Sequence, residues 1–369
     1  MKKLLSLLLC LVLICGVLVS CDEDRVFGSY LPNYDDYEPE EDVKLTLNLY
    51  IITDDMTAEN AKDTVALNIN LYTTRNYNTE LKVHYLTAAK YQSKVSEEVS
   101  ASDEDSANIV LINSLDMMQR LMKEGSMTGE SVFADLTDYL KTDAYGALNV
   151  NIASALLEGA KIDGKIYAIP NNHVVGEYEY LLIDKWANDE YKIFAPSMFN
   201  NDLGPQNPEM EGFDALVEEL KAKLVENGKN PDDYIKTAKG PYEMQASLEA
   251  DGKYECIVTK NPTVDASVAF SSAFAIVDRG AEYNERAMEM IYAINMDKGL
   301  RDLLQYGVLD INYTVDGDNV VRKDGPTTTY KMNLIYTGNV FTASYSSEIA
   351  WTKTAAENGK LQNMEAVAE

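Results

Sequence analysis

Cysteine is scarce in this 369-residue chain: there are four, and Cys10, Cys15 and Cys21 all fall within the first 21 residues. Only Cys256 is left for the body, so no disulfide can form within it. Cys256 sits in the strand-like run Lys253-Tyr-Glu-Cys-Ile-Val-Thr259 and reads as a small core group rather than a nucleophile. Histidine is scarcer still, with His84 and His173 alone. Neither His-Glu-x-x-His nor Cys-x-x-Cys occurs, which removes the familiar zinc spacings. There is no Gly-x-Ser-x-Gly elbow, no phosphate-binding loop and no dinucleotide glycine pattern. No metal and no cofactor is expected. Basic residues are few, 32 against 60 acidic ones, for a net charge of −28. Such a balance cannot neutralise a phosphate backbone, so nucleic acid is excluded as a partner.

Two apparent sites fail on chemistry. Asp316-Gly317-Asp318-Asn319 has calcium-loop residue types but lacks the downstream Glu of an EF-hand, and reads as a hairpin turn. Glu177 and Glu179 alternate with Tyr178 and Tyr180 on one strand. Carboxylates two residues apart share a face and cannot flank a glycosidic bond from opposite sides.

Long apolar runs are also missing, except at the start. Lys2-Lys3 precedes an almost unbroken apolar stretch from Leu4 to Val19, too short and too sharply ended for a spanning helix. Residues 1–20 read as a signal peptide. Residues 21–42 carry Asp22-Glu23-Asp24, Asp35-Asp36 and Glu38-Pro39-Glu40-Glu41-Asp42, an acidic tether with little apolar periodicity.

The body has length enough for two domains. Val43–Ile52 alternates as a strand, and Thr57 is placed to cap a helix carrying Ala58, Ala61, Val65, Ile69 and Tyr72 on one face. Strands at 81–86 and 108–112 alternate with helices over 88–99 and from Ser114, the pattern of a mostly parallel sheet covered on both faces. Lys161-Ile162-Asp163-Gly164-Lys165-Ile166-Tyr167-Ala168-Ile169-Pro170 is a tight turn feeding a strand that Pro170 stops. Asn171-Asn172 follows, then a strand over 177–183 entering a helix at Lys185-Trp186. Further helices are expected over 213–224, 241–249, 287–294 and 300–306, strands over 254–258 and 268–277, a hairpin over 311–322, and a late helix around Trp351. Tyrosine is abundant, 24 against 8 Phe and 2 Trp. Its flat face and hydroxyl suit neutral polyols, although most such residues serve strand surfaces.

Several stretches carry a family resemblance together. Leu18-Val19-Ser20-Cys21 resembles a bacterial lipobox. Ala134-Asp135-Leu136-Thr137-Asp138-Tyr139-Leu140 and the 163–170 turn followed by Tyr180-Leu181-Leu182-Ile183-Asp184-Lys185 come next. Ser272–Ile276 with its following helix, and Leu304–Val308 with Asn312-Tyr313-Thr314, complete the order. The chain resembles the extracellular solute-binding lipoproteins of bacterial ABC transporters, in particular the carbohydrate group that includes maltose-binding protein. Ala107-Asn108 replaces the Pro-Asp pair of many members, Asn312 stands where some have His, and residues 187–245 look pared down. The resemblance implies a two-lobed α/β fold of the type II periplasmic-binding kind, with mixed sheets flanked by helices and a ligand cleft between lobes. Lobe I would comprise 43–170 plus 268–310, and lobe II 171–267 plus 311–369, with crossings near 170–172, 265–268 and 309–311. It implies a lipid on Cys21 at the extracellular face of the membrane, a monomeric receptor for a small polar solute such as a carbohydrate, and ABC permease subunits as partners. No chemistry would be done on the ligand. The alternatives are a lipid-anchored glycan hydrolase and a sensor or adhesin of the same fold. Asn171, Asn172, Glu177, Tyr178, Trp186, Tyr306, Asn312, Tyr313 and Trp351 are the expected ligand-binding residues.

Overall fold

The computed structural model describes residues 44–125, 131–199 and 212–369. The expected signal peptide, Cys21 and the tether lie outside the described residues.

A five-stranded sheet forms first. β1 (Leu45–Thr53) pairs in parallel with β2 (Thr79–Thr87) along its whole length, and α1 (Glu59–Tyr77) crosses between them. Ala61, Val65, Ile69 and Tyr72 of α1 are buried, as the helical spacing requires. α2 (Ala88–Ser100) leads to β3 (Ile109–Ile112), parallel to β1, and α3 (Leu115–Gly125) follows. All four β3 residues are fully buried, which fits a strand covered on both faces. Two short helices come next, α4 (Leu148–Asn151) and α5 (Ser154–Gly159). The next turn is tight: β4 (Lys161–Ile162) and β5 (Lys165–Ile166) flank Asp163 and Gly164, both at positive φ (49° and 78°). That is the type I′ signature of an Asp-Gly hairpin. β6 (Ala168–Pro170) is the sheet edge and ends at Pro170.

A second, smaller sheet follows. β7 (Tyr178–Asp184) runs into α6 (Lys185–Tyr191), capped by the Asp184 carboxylate on the Ala187 N–H. α7 (Phe213–Glu226), β8 (Ile235–Gly240), α8 (Met244–Glu249) and β9 (Tyr254–Lys260) complete an antiparallel sheet ordered β8-β7-β9. Alternation sorts its faces. Leu181, Ile183 and Ile257 pack with α6 and α7, while Tyr178, Tyr180, Leu182, Tyr254 and Cys256 pack on the other side. Cys256 is fully buried, and burial pushes its thiol up to about 12, as an inert core thiol would be.

The chain then returns. β10 (Thr263–Val264) and α9 (Ala266–Ala269) precede β11 (Ala273–Ile276), which inserts antiparallel between β3 and β6. α10 (Ala281–Met296) and α11 (Lys298–Tyr306) cover the sheet. The hairpin β12 (Tyr313–Asp316) and β13 (Asn319–Arg322), α12 (Lys353–Glu365) and β14 (Val367–Ala368), paired with β10, finish the chain.

The first sheet is mixed, as the resemblance implies, because β11 runs against its neighbours. Several local expectations change. The expected strand over 268–277 is part helix, since Asp265 caps α9 through the Val268 N–H. Thr57 does not cap α1; its hydroxyl accepts from the Lys331 N–H at 3.0 Å and donates to the Lys331 carbonyl at 2.9 Å. Tyr330 and Met332 accordingly lie in the core of the first sheet. Trp351 precedes the late helix and pairs by its backbone with Ser346, because Thr352 is the cap. β8, Ile-Lys-Thr-Ala-Lys-Gly, is an edge strand with no apolar alternation to announce it.

His173 is buried and His84 half-buried. His84 stacks on Tyr50 with ring centroids 4.3 Å apart and bonds Asn48 Oδ1 at 2.8 Å; burial lowers its pKa, and burial lowers that of His173 too. Their folded values lie below the unfolded one, so the unfolded chain takes up protons first as pH falls. Urea midpoints should therefore drop between about pH 7 and pH 5, and His84→Gln should flatten that slope. A midpoint flat across the range would contradict the lowered values.

Candidate functional site

After Pro170 the chain leaves the edge of the first sheet. Residues 171–176 run largely buried and outside any strand ladder, so their backbone groups need partners from elsewhere. The Asn171 N–H donates to the Ser272 carbonyl (2.9 Å), and the Asn172 carbonyl accepts from the Val340 N–H (2.8 Å). Side-chain amides of α12 hold the rest. Asn363 donates to the His173 carbonyl (2.7 Å) and accepts from the Val175 N–H (3.0 Å). Gln362 donates to the carbonyls of Val175 and Gly176, both at 2.8 Å. The helix must approach closely for this. A Cβ on Gly359 would meet Val174 Cγ2 at 2.4 Å, so the position requires glycine.

A cavity of about 560 Å³ opens beside this segment. One wall is Asn149–Ser154, running from α4 into α5. Asn172 forms the floor, Asn339, Phe341 and Thr342 a second wall, and Lys360, Asn363 and Met364 of α12 a third. Asn172 ties floor to wall: its Oδ1 accepts from the Ala153 N–H (3.1 Å) and its Nδ2 donates to the Asn151 carbonyl (2.6 Å). Asn149 and Asn151 each use an amide N–H on a backbone carbonyl, Leu140 and Ala147 respectively. Each keeps its oxygen and a second N–H. Amides and hydroxyls of this kind both donate and accept, as recognition of a hydroxyl-rich neutral molecule requires.

The second wall is set from below by a buried cation. Arg301 is fully buried, and its guanidinium donates to the carbonyls of Asn339 (3.1 Å) and Leu334 (2.7 Å) and to the Thr337 hydroxyl (2.5 Å). Burial lowers its pKa to about 10, which still leaves it charged at neutral pH. Gln305 adds a bond to the Met332 carbonyl (3.1 Å). Asp302 accepts from the Ser344 N–H (2.8 Å) and hydroxyl (2.6 Å), fixing the far end of the same stretch.

The expected ligand residues fall into separate places. Asn172 lines the cavity, and Trp351 stands behind it, its ring centroid 5.5 Å from that of Phe341. Asn171 is fully buried and donates to Ser272 Oγ and the Ile335 carbonyl, so it braces the crossing from within. Tyr306, Tyr313 and Asn312 come together in another apolar cluster and its adjoining loop. The Tyr306 hydroxyl donates to the Ser344 carbonyl, and the Asn312 amide is engaged with the Val308 N–H and the Thr328 carbonyl. Tyr178 is buried and donates to Glu365, Glu177 is exposed, and Trp186 is half-exposed beside Tyr234 with Lys229 over its ring. None of these three lines the cavity. Asn149, Asn151, Asn339, Phe341 and Asn363 were not anticipated; no motif marks them. Among the described residues no group of three or more His, Cys, Asp or Glu is placed to hold a metal.

No family model and no curated protein matches the chain. Solved structures do. The N-glycan transport solute binding protein NgtS from Streptococcus pneumoniae aligns with TM-score 0.54 at 18% identity, over 88% of this chain and 84% of that one. Its complexes with Man1GlcNAc and Man5GlcNAc align with TM-scores of 0.52 and 0.53, at 18% and 19% identity, over 88% of this chain and 84% and 83% of those. The fold is that of a two-lobed solute-binding protein. At this identity the likeness speaks for the fold alone; the two sheets and the segment between them are the parts such a fold needs.

Two substitutions test the frame of the site. Asn363→Ala strips the crossing of its bonds to His173, Val175 and the Asn172 side chain (the last at 3.3 Å) and should lower stability by at least about 2 kcal/mol in urea titration. Arg301→Met removes the charged donor that the Asn339 and Leu334 carbonyls and the Thr337 hydroxyl share, leaving each with a remaining partner, and should cost about 2 kcal/mol or more. A loss under about 0.5 kcal/mol for either, the level of a neutral surface change, would remove that residue from the frame.

Proposed function

We propose that the protein is the substrate-binding receptor of an ABC importer and captures a carbohydrate. The observation that carries this reading is the cavity itself. It is of small-ligand size, sits on the segment joining the two sheets, and is lined by five asparagines, Ser154, Thr342 and the aromatic Phe341. Amides read hydroxyls, and an aromatic face takes the apolar side of a sugar ring. No described lining residue is a carboxylate, so the acid and base that glycoside hydrolysis needs have no candidates there. Capture without chemistry is the function this supports, and the hydrolase alternative is the less suited to it.

The lobes are 43–170 plus 268–310 and 171–267 plus 311–369, with Tyr330 and Met332 anchoring the late segment to the first core. Ligand favours the closed arrangement by touching both lobes, and the permease reads that arrangement. Residues 1–20 direct export, lipid on Cys21 holds the monomer at the extracellular face, and the acidic tether gives reach. The complexes of the similar structures make Man1GlcNAc and Man5GlcNAc the first ligands to try.

A ligand at a hundred times its Kd should stabilise the fold by about 2.7 kcal/mol, visible as a rise in Tm. Phe341→Ala should weaken binding by roughly tenfold, about 1.4 kcal/mol, without creating or abolishing turnover. Product release from any bound glycan, or indifference to every carbohydrate offered, would defeat the reading.

A further inference from the structure

The cavity's charge is out of keeping with the chain's. Acidic residues outnumber basic ones 60 to 32, yet of the thirteen described lining residues none is Asp or Glu and Lys360 is the one charged group. Neutral sugars are commonly held through carboxylates, because an ionised oxygen is the strongest acceptor for a hydroxyl. This site offers amide and hydroxyl groups and a single cation instead.

Lys360 is also uncommitted. Lys161, Lys239, Lys260 and Lys298 each meet a carboxylate within 3 Å. Lys360 has no ion-pair partner within 4 Å among the described residues, although Glu357 lies one turn before it on α12. Its backbone is well placed. It sits between Gly359, pressed against Val174, and Gln362-Asn363, whose amides grip the crossing, so the base of its side chain is fixed relative to Asn172. The stem is free to reach over the cavity. Met364, one turn further along α12, is 82% exposed and shares the same wall.

We infer that the ligand is a carboxylate-bearing oligosaccharide, one with a uronic or similar acidic sugar, and that Lys360 pairs with its carboxylate while the asparagines read its hydroxyls. This rests on the carbohydrate reading above. The overall charge of −28 opposes an anion at long range, but salt screens that field beyond about 8 Å, so the local cation decides. The inference also gives the lining's lack of acid a reason: a carboxylate there would repel the ligand's own.

An array of neutral and acidic glycans, followed by calorimetry on a matched neutral and carboxylated pair, tests it with the full folded chain. The acidic member should bind at least about fivefold tighter. Lys360→Gln should erase that preference and Lys360→Glu reverse it, both with unchanged Tm. A preference that survives Lys360→Gln, or equal affinities in the parent protein, overturns the inference and leaves a neutral-sugar receptor standing. Silence across the whole array removes the carbohydrate reading and the inference with it.

Discussion

Everything about the site depends on one constraint: a buried stretch of backbone that belongs to no sheet. Residues 171–176 connect the edge of one sheet to the central strand of another, and every buried peptide group there must find a partner. The partners come from Ser272, from Val340 and from two adjacent amides near the chain's end. Three distant parts of the sequence are thereby fixed around one segment, and the cavity is the space they leave between them. The Asn172 side chain belongs to both, bracing the crossing and forming the floor.

This is also why the walls are polar. The groups that satisfy such a backbone must both donate and accept, and side-chain amides do both. The buried Arg301 works differently. It is a rigid fork holding three groups of the 334–339 stretch at once, and it keeps one wall in register with α11 whatever the rest does. Tyrosine plays a similar part. Tyr72 and Tyr77 both donate to Asp297, Tyr306 to Ser344 and Tyr330 to Leu304, so many of the residues that suggested sugar stacking are internal braces.

Period-two and helical spacing made the first sheet and its helices legible: β1, β2, β3, α1 and α10 stand close to where the pattern puts them. The Asp163-Gly164 turn and the break at Pro170 were legible too, because turn chemistry is local. What stayed hidden was non-local. β8 carries lysines because it is an edge strand, and a polar edge does not alternate. The asparagines of the cavity lie at 149, 151, 172, 339 and 363. Only tertiary structure gathers them, and an isolated Asn reads as a turn former. Asn172 was legible through its place after Pro170. Trp186 was not separable from it by sequence, since an aromatic at a strand end looks the same whether it faces a ligand or, as here, Tyr234 and Lys229.

The position of β11 has a bearing on the chain's early life. It lies between β3 and β6 yet begins 164 residues after β3 begins and 105 after β6 begins (273 − 109 and 273 − 168), and the amides that hold the crossing come later still. At about 5–20 residues per second of synthesis, the edge of β3 stays open for many seconds. During that time the first sheet lacks the strand that joins β3 to β6. A polypeptide whose parts are interleaved in this way completes its first sheet only after the whole of its second has been made.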